Sequence, residues 1–131
     1  MRYLLDTHIL LWAVSDPQKL SQQHKEILQD NNNFIAVSQF SYLEITIKLK
    51  LNKLPHFEVS ITEFINKVEE AGFVSLQIQT AHLERYNKLI LRDEHRDPFD
   101  RFIIATAVEE KMKLLSLDSK FQLYKEFVEV I

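Results

Sequence analysis

The sequence contains no cysteine. Disulfide bridges, thiolate nucleophiles and thiolate metal sites are therefore excluded, and the absence fits a cytoplasmic protein without requiring one. Glycine is almost as scarce, with Gly72 the sole example. Neither the G-x-G-x-x-G turn of dinucleotide-binding folds nor the G-x-x-x-x-G-K-[ST] phosphate loop can be built from one glycine. No apolar run approaches the roughly 20 residues that cross a bilayer. Asp6 and His8 interrupt the opening apolar run, which argues against a signal peptide. A positive excess is missing as well: the formal net charge is −3. That counts against a simple nucleic-acid-binding module. It counts less against a nuclease, whose metal ions supply positive charge locally. The expectation is a soluble, cytoplasmic protein.

What is present suffices for one domain: 131 residues, 46% hydrophobic and 27% charged. Residues 2–5 read as a short buried strand, followed by a helix from Thr7 to Val14 and a turn at Ser15-Asp16-Pro17. Ser21 caps a helix over 22–30, and a second strand follows at Phe34 to Val37. A largely buried helix runs from Ser41 to Leu51, where Asn52 suits a left-handed cap and Pro55 blocks continuation. Ser60-Ile61-Thr62-Glu63 is a capping box, and Gly72 stops the helix it opens. A third strand, Phe73 to Ile78, leads to a Thr80-capped helix ending at Leu91, then a charged loop over 92–96. The last long helix spans Pro98 to Lys111, the fourth strand 114–117, and Phe127 to Ile131 adds an edge strand. Alternating strands and helices without a linker predict one α/β domain over residues 1–131, with a mainly parallel central sheet covered by helices on both faces.

Four acidic residues stand out. Asp6 ends the first apolar run and Asp118 the last, and strand exits in parallel sheets line the ligand crevice. Each also has a plain structural use. Asp6 suits an N-cap, with Thr7 as the alternative cap, and Asp118 a turn. Glu44 pairs with Lys48 one turn on, yet its neighbours Tyr42, Leu43, Ile45 and Ile47 are apolar, and a buried carboxylate needs a lysine or a cation. Asp97-Pro98 is a helix start, and Asp100 at the third helical position complements the dipole. His8 serves as a packed or capping histidine, with metal ligation as the alternative. One shared divalent cation explains all four acids more economically than four separate structural roles.

Leu4-Leu5-Asp6-Thr7-His8-Ile9-Leu10-Leu11-Trp12, Ser41-Tyr42-Leu43-Glu44-Ile45-Thr46-Ile47-Lys48 with Lys53-Leu54, His95-Arg96-Asp97-Pro98-Phe99-Asp100-Arg101-Phe102-Ile103-Ile104-Ala105-Thr106-Ala107 and Leu115-Ser116-Leu117-Asp118-Ser119-Lys120-Phe121 follow one another along residues 4–121. In that order they resemble the four motifs of PIN-domain ribonucleases, specifically the VapC-type toxins of bacterial toxin–antitoxin pairs. The resemblance implies that Asp6, Glu44, Asp100 and Asp118 form the catalytic acidic cluster, with Asp6 and Asp100 the leading metal ligands. Glu44 and Asp118 would ligate directly, through water, or act as a base. Thr7 and Asp97 would support them. It also implies Mg²⁺ or Mn²⁺, an RNA substrate, a homodimer and a cognate antitoxin. Lys48, Arg96 and Arg101, then Lys53 and Arg92, are the cations near the crevice that would meet substrate. Leu43 stands where the family commonly has tryptophan and Asn52 where it has glycine. Asparagine tolerates the same left-handed backbone, and no acidic position is lost. The rival readings are a non-catalytic PIN-like module that binds RNA or protein, and an aspartyl-phosphate phosphatase. The phosphatase wants a second acid two residues beyond the first, where this chain has His8.

Overall fold

Leu4 and Leu5 are adjacent in the chain and fully buried, yet they enter different cores. The structure, a computed structural model, describes residues 1–90, 92, 94 and 96–131. Its strands are β1 (Arg2–Leu5), β2 (Phe34–Ser38), β3 (Val74–Leu76) and β4 (Lys113–Leu115). They form one four-stranded parallel sheet in the order β3-β2-β1-β4. Strand alternation sends Tyr3, Leu5, Ile35 and Val37 into one core, and Leu4 and Ala36 into the other. The central strands carry the apolar runs Tyr3-Leu4-Leu5 and Ile35-Ala36-Val37 because both faces of the sheet are covered there.

The first core is closed by α1 (Thr7–Ser15), α2 (Gln22–Gln29), α3 (Gln39–Lys50) and α4 (Ile61–Glu70). Their contributions include Ile9 and Leu10, Ile27 and Leu28, Ile45, and Phe64 with Val68. The second core is closed by α6 (Pro98–Glu110), the segment following α5 (Thr80–Lys88), and a 3-10 helix over Ser119–Tyr124. These supply Ile103, Ile104 and Ala107, Leu89, and Phe121 with Tyr124. Buried His82 ties α5 to α6 through Glu110 at 2.7 Å, and Arg85 reaches Glu109 at 2.9 Å.

Several expected boundaries move, for physical reasons. The third strand is three residues rather than six, because β2 turns into α3 after Ser38, the partner of Leu76, and offers nothing further to pair with. Likewise β4 stops at Leu115, opposite Leu5, because β1 gives way to α1. The expected edge strand over 127–131 reduces to a single parallel bridge between Leu114 and Val130. The N-cap of α5 is Gln79, not Thr80; its backbone N–H donates to His82 Nδ1 at 3.1 Å. Helix α3 begins at Gln39 behind Ser38, two residues early, and it is not largely buried: Leu43 is 46% and Ile47 39% exposed. Leu91, Asp93 and His95, where the sequence ends α5 and builds its charged loop, lie outside the described residues. Asn52 does adopt a left-handed conformation (φ 55°), as does Gly72 (φ 87°) after α4.

Candidate active site at the carboxyl edge of the sheet

Asp6 sits where β1 ends and α1 begins, and it serves the helix directly: its Oδ1 accepts the Ile9 amide at 2.7 Å. Capping does not exhaust its role. The residue is only 2% exposed. Burial pushes its carboxyl from the usual 3.8 up to about 6, against the lowering effects of a Ser116 hydroxyl hydrogen bond, the Ile9 amide and the charge of His8. The nearby carboxylate of Asp100 raises it further. Thus Asp6 is a buried acid with a second acid close by, an arrangement that favours either a proton or a cation.

Asp100 is brought there by the start of α6. Asp97 caps that helix, accepting from Phe99 N at 2.8 Å and Asp100 N at 3.4 Å, and Pro98 occupies the first helical position. The two aspartates, close in sequence, therefore divide their work: Asp97 holds the backbone, and Asp100 carries its charge to Asp6.

Glu44 belongs to an adjoining network. It is 6% exposed and accepts the Thr7 hydroxyl at 2.6 Å, while Lys48 Nζ lies 3.0 Å from its other oxygen. The Ser41 hydroxyl is 3.1 Å from Thr7 Oγ1. Thr7→Val keeps the shape but leaves Glu44 short of a donor, and is expected to cost about 1–3 kcal/mol. Urea midpoints of the two proteins check this; equal midpoints would mean that Lys48 alone satisfies the carboxylate.

Asp118 caps the 3-10 helix through Lys120 N at 2.9 Å, and its own amide donates to Ser116 Oγ at 3.1 Å. Ser116, buried and hydrogen-bonded to Asp6, is thus the link between the first and last acids. Sequence reasoning missed both it and Ser41. Their only signal is a small hydroxyl residue within three positions of a motif acid. His8 is exposed rather than packed, tilted against Trp12 with ring centroids 6.1 Å apart.

The structure therefore brings Asp6, Asp100 and Ser116 together, sets Thr7, Glu44 and Lys48 beside them, and joins Asp118 through Ser116. Among the described residues, no three acidic or histidine side chains form a group able to hold one ion. The donor chemistry nevertheless fits a hard divalent cation, being carboxylate and hydroxyl oxygen throughout. Of the candidate substrate cations, Arg101 donates to the Arg92 carbonyl at 3.3 Å, and Arg92 pairs with Glu126 at 2.8 Å. Lys53 and Arg96 are exposed.

A PIN domain family model matches residues 3–126. No curated protein matches the sequence. Solved structures do match the fold. VapBC2 from Rickettsia felis, bound to a DNA fragment from its promoter, aligns with 100% of this chain and 98% of that one, at TM-score 0.63 and 17% identity. VapBC-1 from nontypeable Haemophilus influenzae aligns over 100% and 97%, at TM-score 0.63 and 17% identity. A toxin–antitoxin complex from Klebsiella pneumoniae aligns over 98% and 95%, at TM-score 0.61 and 22% identity.

Proposed function

The chain belongs to the PIN domain family, and on that footing we propose that it is a Mg²⁺- or Mn²⁺-dependent endoribonuclease, the VapC-type toxin of a toxin–antitoxin pair. The observation that carries the reading is Asp6, a buried carboxylate at a strand exit with Asp100 beside it and its proton affinity raised. An acid so placed is costly to the fold unless a cation balances it.

Asp6 and Asp100 would hold the ion, with Glu44 and Asp118 contributing from the adjoining positions. When bound, the ion supplies positive charge that lowers the pKa of water and offsets the negative charge of the pentavalent transition state. The chain's own part is to fix the acids. Ser116 and the Ile9 amide orient Asp6, the Thr7 hydroxyl orients Glu44, and the Asp97 cap sets the first turn of α6 under Asp100. Lys48, which pairs with Glu44, and Arg101, next to Asp100 in α6, would neutralise substrate phosphates together with Arg96. This chemistry does not use the ribose 2′-hydroxyl, so RNA as substrate rests on the family. An antitoxin partner is supported by the structural neighbours, which are toxin–antitoxin complexes. A homodimer is supported by the exposed Leu43 and Ile47, one turn apart on α3, and the exposed Leu51 at its C-cap. No described helix is long and apolar enough to cross a membrane.

The test is incubation of the purified protein with RNA and Mn²⁺ or Mg²⁺, expecting cleavage that a chelator abolishes. The non-catalytic alternative draws on one observation, the pairing of Glu44 with Lys48, which already balances that acid. It is favoured if no RNA is cut and Asp6→Asn is as harmless to cells as the parent. The pH dependence is a separate check. Only ionised Asp6 attracts a cation, so Mn²⁺ should raise the melting temperature more at pH 7.5 than at pH 5, on either side of about 6. A shift independent of pH would remove Asp6 from the ligand set.

A further inference from the structure

A groove of about 530 Å³ opens beside the acids, lined by the first helix and the 53–59 segment. It abuts the candidate active site at two points. Lys48 lines it while pairing with Glu44 at 3.0 Å, and His8 lines it while its charge acts on Asp6. Trp12, the chain's single tryptophan, and Phe57 form further walls. Both are half-buried and anchored from behind: Trp12 packs on the first core, and the Phe57 ring lies 5.2 Å from that of Phe64. His8 and Trp12 are one helical turn apart, with their rings tilted by 44°.

The charge of the groove runs against that of the molecule. Lys19, Lys48, Lys53 and Lys67 line it against Asp16 and Glu58, in a chain whose net charge is −3. Lys19 is matched by Asp16 at 3.1 Å. That leaves Lys53 and Lys67, with no ion pair among the described residues, as the cations on offer. Aromatic faces flanked by lysines are how proteins hold an unpaired base and its phosphates. A volume near 530 Å³ suits one small-molecule-sized group, and a paired base cannot present its face to a ring.

We propose that this groove is a nucleobase subsite, in which Trp12 and His8 stack an unpaired base of the substrate strand while Lys53 and Lys67 hold its neighbouring phosphates. The subsite rests on the ribonuclease reading and extends it: cleavage would be directed to single-stranded positions with a base in the groove. Trp12 is then a specificity-determining residue rather than a catalytic one.

The experiment uses the full chain carrying Asp100→Asn, so that RNA stays intact, and reads the fluorescence of Trp12. A short single-stranded oligoribonucleotide is expected to quench it saturably, and the same strand made abasic throughout is expected not to. Anisotropy of a labelled strand should show Trp12→Phe binding within about threefold of the parent and Trp12→Leu weaker by about tenfold to a hundredfold. Lys53→Met with Lys67→Met, at exposed or rim positions, should weaken binding and flatten its salt dependence by about two ions without altering the melting temperature. In the cleaving protein, Trp12→Leu should raise KM and spare kcat. Equal binding of intact and abasic strands overturns the subsite, as does occupancy of the groove by an acidic peptide but not by RNA. Base-dependent quenching by a protein that cuts no RNA sustains the subsite and overturns the ribonuclease reading. Cleavage without base-dependent quenching overturns the subsite alone.

Discussion

Asp6→Asn is expected to silence cleavage and, in the same protein, to stabilise the ion-free fold at neutral pH. The two effects share one cause. The carboxyl of Asp6 lies at about 6 in the folded protein against the usual 3.8, chiefly because it is buried. The folded state therefore binds this proton more tightly than the unfolded chain does. Its contribution to stability is full below about pH 4 and is lost as the pH rises through about 6. Above that, holding the bare carboxylate costs about 3 kcal/mol. Asparagine has no charge to bury and remains a good N-cap for Ile9. The stability of Asp6→Asn relative to the parent should thus grow by about 3 kcal/mol between pH 4 and pH 7.5 without divalent ions. Added Mn²⁺ should narrow the gap by stabilising only the parent. Urea unfolding at the two pH values measures both effects. A gap that stays constant with pH would show that burial is not what raises the Asp6 carboxyl.

Asp100→Asn should lower cleavage by about a thousandfold or more, the equivalent of about 4 kcal/mol of lost transition-state stabilisation. Its melting temperature should fall little, since Asp97 and Pro98 still start α6. Asp97→Asn is the matched control. Asparagine caps as well as aspartate does, so the first turn keeps its place and activity should stay within about tenfold of the parent. Single-turnover rates with excess Mn²⁺ separate the two variants. Equal losses would overturn the division of roles and make Asp97 a ligand in its own right.

Much of this fold can be read from the chain because its central strands are buried on both faces. Leu4-Leu5 and Ile35-Ala36-Val37 cannot be placed elsewhere, and Asp97-Pro98, Ser21 and Asn52 punctuate the helices by local chemistry alone. What was not legible depends on neighbours distant in sequence. Nothing near Phe73 reveals that β2 will turn into α3 and leave the third strand only three partners. Nothing around Glu44 distinguishes the covered side of α3, with Tyr42 and Ile45, from the open side, with Leu43 and Ile47. The acids followed the same division. Their order along the chain suggested a common site, but the proximity of Asp100 to Asp6 and the bridging hydroxyl of Ser116 belong to tertiary structure. So does the extent to which Glu44 is already engaged by Thr7 and Lys48.

The order of the sheet also has a temporal meaning. β1 is made first, yet one of its two neighbours is β4, so Leu5 must wait for Leu115 to emerge. Domains form as units during synthesis, and pairings this distant are slow to close. The Asp6 amide gains its Leu115 acceptor only when β4 docks, and Ser116, which steadies the carboxyl, arrives with the same segment. A chain without residues 113–116 would therefore leave the Asp6 amide without its Leu115 acceptor and the Asp6 carboxyl without Ser116.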